Sequence, residues 1–313
     1  MLCFNFRKGG VLMSFSLRPV CRPCRVVAVL LAAALLAAGP AHPEAAPSGE
    51  WRQLNGQSTT AVLWQRQAAE YRALCHQAFQ LADRRVYSAV LRLSGFRRVP
   101  PHPRYHPDRE RLAVVLDLDE TLLDNGPYLA AVAQSDTAGR ERLALWNRWI
   151  DSGRQEALPG AVRFLNHLRR WRVQAFYVTN RGPQDREATL RTLQRLGFPD
   201  ADEEHLFLNG GDGNKQPVFE KLEKRYRVLC YLGDSLTDFP LGTARMDEGH
   251  RNAAADAQAA DFGTRFILLP NPVYGRWEQV LADGSARQDA AERLAARAAL
   301  LQRAEWHHGA GWK

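Results

Sequence analysis

Cysteine is scarce in this chain: five in 313 residues, and three of them (Cys3, Cys21 and Cys24) fall within the first 41. Beyond that point only Cys75 and Cys230 remain, which excludes a disulfide-stapled scaffold. Cys21 and Cys24 make half of a redox or zinc pattern, with no second half to complete it. Long apolar runs are also missing. The longest, Val26 to Ala38, has 13 residues, whereas a bilayer-spanning helix needs about 20. Internal repeats are absent, so a solenoid is excluded.

Acidic residues are missing from one place in particular. Residues 1–41 hold Arg7, Lys8, Arg18, Arg22 and Arg25 and no Asp or Glu. A basic start, the short apolar run and the small-residue end Gly39-Pro40-Ala41 predict an export signal over residues 1–41, with Met13 as an alternative start. The following AAGPAHPEAAP contains no cysteine, so neither a lipid anchor nor a stable membrane anchor is expected. The expectation is a soluble periplasmic or secreted protein. The whole chain carries a net charge of +8, from 42 basic and 34 acidic residues. Without the signal, 42 − 5 = 37 basic residues face 34 acidic ones, a net +3. Binding to a nucleic-acid polymer thereby loses its electrostatic support.

Composition divides the rest. Residues 42–58 are rich in Pro, Ala, Gly and Ser and read as a flexible lead-in. From Thr59 to about residue 96, apolar residues recur at helical steps (Trp64, Ala68, Tyr71, Cys75, Ala78, Phe79, Ala82), predicting an N-terminal helical region whose apolar face is packing. Residues 97–110 (RRVPPHPRYHPDR and its flanks) read as a linker. Its His102 and His106 have no spacing that makes them metal ligands with His307 and His308. Residues 111–304 form the main domain and 305–313 a tail.

Within the main domain, LAVVLDLDETLLDNGPY (112–128) is an apolar, β-branched-rich run that gives way to Asp117 and Asp119, as a buried parallel strand does on entering a loop. Two carboxylates one residue apart at a strand end repel each other unless a cation shares the site. FYVTNR (176–181) is a second apolar strand, ending in the hydroxyl of Thr179. GNKQP (213–217) places Lys215 just ahead of a helix. VLCYLGDSLTDF (228–239) is a third strand, ending in Asp234 and Asp238. Helices are predicted over 161–171, 183–196, 218–226 and 289–303, and a further strand over 264–269. Strands alternating with helices predict an α/β fold with a parallel, Rossmann-like sheet, and residues 128–160, longer than a crossover needs, predict a small, mainly helical cap.

In order and spacing these segments resemble the four motifs of the haloacid dehalogenase superfamily. DLDETLLDNGPY and LGDSLTDF, with WNRWID (146–151), LPGAVRFLNHL (158–168) and LLPNPVYGRWEQVLA (268–282), are similar to the bacterial class C (DDDD-type) acid phosphatases, the outer-membrane lipoprotein 5′-nucleotidases, over residues 58 to 304. The resemblance implies a Mg²⁺-dependent phosphomonoesterase in which Asp117 attacks phosphorus and Asp119 serves as acid and then base. It implies a metal held by Asp117, the backbone carbonyl of Asp119 and Asp234. Thr179, Asn180 and Lys215 would bind the phosphoryl oxygens, and Asp238 would orient Lys215 or a metal-bound water. Trp146 and Tyr274 match positions that stack on a nucleobase, implying a nucleoside 5′-monophosphate as substrate. The competing readings are a non-catalytic periplasmic or surface binding protein that keeps the fold, and a phosphotransferase of the same superfamily. A homo-oligomer is left open.

Overall fold

Alternation decides how the sheet is built. In the computed structural model, which describes residues 49–93, 111–211, 213–281, 289–303, 306–307 and 311–312, all the described residues fall in one compact unit, Pro47–Lys313. The export signal, the linker and its two histidines lie outside the described residues. Three helices come first: α1 (Glu50–Gly56), α2 (Thr59–Gln67) and α3 (Ala69–Leu93). The flexible lead-in expected over 42–58 is corrected in its second half. Glu50–Gly56 is helical because Leu54 and Asn55 find cover, and the Asn55 amide donates to the carbonyls of Ser135 and Thr137 at 3.1 Å each.

Next come β1 (Leu112–Leu116), β2 (Leu123–Asp124), α4 (Gly126–Ala133), α5 (Gly139–Asp151), β3 (Glu156–Ala157), α6 (Ala161–Trp171), β4 (Gln174–Thr179), α7 (Arg186–Arg195), β5 (Leu206–Leu208), α8 (Gln216–Glu223) and β6 (Arg227–Gly233). The chain closes with α9 (Glu248–Ala257), β7 (Phe266–Leu268), α10 (Arg276–Val280), α11 (Ala290–Arg303) and the short antiparallel pair β8 (Trp306–His307) and β9 (Gly311–Trp312). Five strands form one parallel sheet in the order β5-β4-β1-β6-β7. This is the Rossmann-like α/β architecture expected.

Side chains of a strand point alternately to the two faces. Leu112, Val114 and Leu116 of β1 therefore join Ala175, Tyr177, Cys230 and Leu232 in one cluster, while Ala113 and Val115 join Phe176, Val178 and Tyr231 in the other. The first cluster is covered by α3 and α6, whose Phe79 and Phe164 rings meet at 5.9 Å. Each such ring contributes about 2–3 kcal/mol by leaving water. The N-terminal helical region is thus no separate layer but one wall of the main core. Cys75 and Cys230 are both buried there as free thiols. The second cluster is closed by α8 and by Phe239 and Phe266.

Helix ends follow local chemistry. After α7, Gly197 adopts φ +70°. Its N–H donates to the Gln194 carbonyl, and that of Phe198 to the Leu193 carbonyl, each at 3.0 Å. That reversal needs a left-handed residue, which glycine adopts without strain. The cap is the segment between β2 and β3, which pair antiparallel (Leu123 with Ala157, Asp124 with Glu156) and pinch its base, so α4 and α5 stand together on a narrow neck.

Candidate active site

Parallel strands bring their carboxyl ends to one edge, and the three central ones, β4, β1 and β6, end in the polar residues singled out above. From β1 the chain runs on through Asp117, whose N–H still donates to the Leu232 carbonyl (3.0 Å). The N–H groups of Leu122 and Leu123 then both return to the Leu118 carbonyl (2.8 and 2.9 Å), a turn that forces Glu120 to φ +59°. Beyond β6, Asp234 is followed by a single tight turn in which the Ser235 N–H donates to Asp238 Oδ2 (2.9 Å). Gly233 makes this turn fit, because a Cβ there would lie 2.1 Å from Asp238 Cβ.

Lys215, just before α8 and 1% exposed, donates from Nζ to Asp117 Oδ1 (2.5 Å) and to Asp238 Oδ1 (2.7 Å). Carboxylate oxygens of Asp117, Asp234 and Asp238 lie within 4.8 Å of one another. Burial pushes Asp117 up, with repulsion from Asp238 and Asp119 adding to it and the Lys215 ammonium opposing. Burial and the same neighbours, Asp238 and Asp117, push Asp234 well up. Three acids against one lysine leave excess negative charge, and the donors are all oxygen. That set suits a hard divalent cation. Asp238 stands beside this group while both of its oxygens are engaged, Oδ1 by Lys215 Nζ and Oδ2 by the Ser235 N–H.

The Asp119 carboxylate is not in that cluster. It points to Arg181, which donates from Nε to Oδ2 (3.0 Å) and from Nη2 to Oδ1 (2.6 Å), while the Asn125 amide donates to Oδ1 (2.9 Å). Burial alone would raise this carboxyl. The bidentate guanidinium outweighs it and holds Asp119 below its ordinary value. Arg181, 3% exposed, also donates to Thr189 Oγ1 and lies 5.8 Å from the Trp146 ring centroid.

These groups surround a cavity of 540 Å³. Asp117, Asp119, Thr179, Asn180, Asp234 and Asp238 line it, as do Trp146 from α5 and Tyr274 from the loop before α10; Lys215 is buried against Asp117 and Asp238. Every residue singled out from the sequence is thus at one place. Arg181, Glu120 and Asn125 received no role from the sequence, although each stands inside a stretch that drew attention. Asn125 is fully buried. It donates to both Asp119 and Glu120 and accepts from Trp149 Nε1 (2.7 Å), linking the cap to the loop that follows β1.

An edge of this kind, with carboxylates and one buried lysine gathered under a cap, defines an α/β protein with a site suited to a divalent cation and an anionic ligand. Comparison narrows the class. Residues 37–277 match the profile of the HAD superfamily, subfamily IIIB (Acid phosphatase), and the chain belongs to that family. Its fold matches the class C acid phosphatase of Bacillus anthracis, in the tungstate-bound structure, with 31% identity and a TM-score of 0.70, covering 79% of this chain and 97% of that one. A second structure of the same enzyme matches at 30% identity and a TM-score of 0.69, with the same coverage. Among curated proteins, Acid phosphatase 1 of Solanum lycopersicum is 26% identical over 170 residues and Vegetative storage protein 1 of Arabidopsis thaliana is 24% identical over 168. Each alignment takes in 51% of this chain, and the chain spans 57% and 54% of those two relatives.

Proposed function

We propose that the protein is an exported acid phosphatase that hydrolyses small phosphate monoesters, nucleoside 5′-monophosphates among them, through an aspartyl-phosphate on Asp117. The observation that carries this reading is the complete set around one cavity: Asp117 beside Asp234 and Asp238, with Lys215 bridging two of them. A monoester resists hydrolysis because its anionic oxygens repel a nucleophile, so the site must supply positive charge and alignment.

Asp117, Asp234 and the Asp119 carbonyl would hold Mg²⁺, with Asp238 orienting Lys215 beside it, and the ion would supply charge neutralisation for the phosphoryl oxygens when bound. Lys215 fixes the Asp117 carboxylate and offsets its charge. A carboxylate oxygen of Asp117 attacks phosphorus as the P–O bond to the leaving group breaks, and the alkoxide takes a proton from Asp119. In the second half Asp119 removes a proton from water, which attacks the phosphoryl group and frees Asp117. The Arg181 fork presents Asp119 as a carboxylate before substrate arrives, the form needed for the base half. For the acid half Asp119 takes up a proton from solvent or from a monoanionic phosphate ester as the substrate binds. Thr179 and Asn180, at the end of β4, donate to those oxygens.

The nucleotide reading rests on Trp146 and Tyr274 facing the cavity. One relative is named for storage and not for catalysis, which keeps a lapsed binding protein in view; the intact acids and lysine favour the enzyme. Phosphate release from a panel of monoesters, with excess EDTA and then with added Mg²⁺, tests the reading. Turnover abolished by chelation and restored by Mg²⁺, fastest on nucleoside monophosphates, is expected. Full activity in EDTA rejects the cation, and no release from any monoester rejects the enzyme. Export rests on residues 1–41, and sequencing of the secreted protein should place its N-terminus close to His42.

A further inference from the structure

The most buried ionisable side chain at the site has no part in the chemistry above. Glu120 is 0% exposed and its backbone sits at φ +59°, a left-handed conformation that disfavours any side chain. Strain of this kind at a binding site points to a functional constraint. Its carboxylate is held from two sides. Asn125 donates to it from the backbone N–H (3.2 Å, Oε1) and from the side-chain amide (3.3 Å, Oε2), and the Tyr274 hydroxyl donates to Oε2.

The loop that carries Tyr274 is tied down a second time. The Asn271 amide donates to Asp234 Oδ2 (2.8 Å), and Asn271 Oδ1 accepts from the N–H groups of Val273 (3.0 Å) and Tyr274 (3.3 Å). The loop following β7 is therefore anchored to the carboxyl ends of both β1 and β6. Its far anchor fixes the backbone and its near anchor, Glu120, fixes the ring. A tyrosine ring rotates about two side-chain torsions. Holding the hydroxyl at the end of the ring removes that freedom before substrate enters, so less of it is lost on binding.

We propose that Glu120 is a positioning residue for substrate selection: through the Tyr274 hydroxyl it sets the ring as a preformed wall of the cavity, so that substrates with a flat base or aryl group opposite the phosphate are favoured over small alkyl phosphates. The inference rests on the reading that Tyr274 contacts a nucleobase. It places the selectivity of the site in a hydrogen bond as well as in an aromatic face.

A double-mutant cycle tests it. Tyr274→Phe keeps the ring and loses the anchor, and Glu120→Gln weakens the same bond from the other end. Each is expected to raise KM for a nucleoside monophosphate about 10-fold, the loss of one buried hydrogen bond, with a several-fold smaller effect on glycerol phosphate. The double variant should be no worse than the poorer single one, because both remove the same link. Losses that add across the cycle overturn the proposal. So does a fall in kcat on every substrate with KM unchanged, which would assign Glu120 to Asn125 and Asp119 instead. Tyr274→Ala separates the two levels. If it discriminates between nucleotide and glycerol phosphate while Tyr274→Phe and Glu120→Gln match the wild type, only the anchor is wrong. If Tyr274→Ala shows no discrimination, the nucleotide reading itself fails.

Discussion

Asp117→Asn should yield a folded protein that releases phosphate about 10⁴- to 10⁶-fold more slowly than the wild type, the scale on which an enzyme loses its nucleophile. The amide is isosteric with the carboxylate and retains an oxygen that can accept from Lys215 Nζ, which now bonds Asp117 Oδ1 at 2.5 Å. What it lacks is an anionic oxygen to attack phosphorus. Stability should change little, for two opposed reasons. Lys215 loses a charged partner, but a group pushed up by burial and by the neighbouring Asp238 and Asp119 is replaced by a neutral one. Single-turnover phosphate release and mass spectrometry of acid-quenched enzyme check the result: the wild type should trap a phosphorylated protein and the variant should not. Near wild-type turnover would place the nucleophile elsewhere.

Lys215→Met should cost both fold and rate. The ammonium is the cation bridging Asp117 and Asp238, and its side chain is 1% exposed. Removing one partner of a buried ion pair destabilises by about 3–5 kcal/mol, because the remaining charge stays out of water without compensation. For a domain of this size that corresponds to a fall in melting temperature of roughly 10 °C. The rate should fall about 10²- to 10³-fold, as for other losses of a preorganised charge at a developing anion. The pH dependence has a definite sign. Lys215 is raised above its ordinary value, its burial being outweighed by Asp117 and Asp238. Its stabilising effect is thus fully present below the unfolded lysine value and is lost only in strong alkali. In the variant, Asp117 loses the group that opposed its upward shift and takes up a proton more readily. The stability deficit should therefore shrink as pH falls from neutral towards 5. Thermal unfolding at pH 5 and pH 8, without added cation, checks this, and a deficit that grows on acidification would remove Lys215 from the charge balance.

The legible parts of this protein share a cause. Burial writes a period into a sequence, and strands that end abruptly in Asp, Thr or Gly-Asp write their direction as well. Asp117, Asp119, Thr179, Asp234 and Asp238 could be assigned to one sheet edge because parallel strands align their carboxyl ends. The helix expected over 161–171 is observed as Ala161–Trp171, and the stop at Gly197 follows from its left-handed backbone. The helix at Glu50–Gly56 was illegible because its Pro- and Gly-rich flank hides a segment stabilised by distant residues: the Asn55 amide bonds carbonyls 80 and 82 residues away.

Within the site, the sequence by itself determined the residue types and the edge on which they lie, since both follow from local pattern and from the geometry of parallel strands. The partners were decided by tertiary structure alone. Asp119 follows Asp117 by two residues, yet its carboxylate turns to Arg181, 62 residues on, while Asp117 turns to Lys215, 98 residues on. Glu120 is adjacent in sequence to Asp119 and shares no partner with it except Asn125; its other partner, Tyr274, is 154 residues away. A carboxylate carries no mark of which cation or hydroxyl it will meet. That is set by the register of β1 against β4 and β6 and by the loop that β7 sends back over them, and electrostatic energy at contact distance then holds the choice.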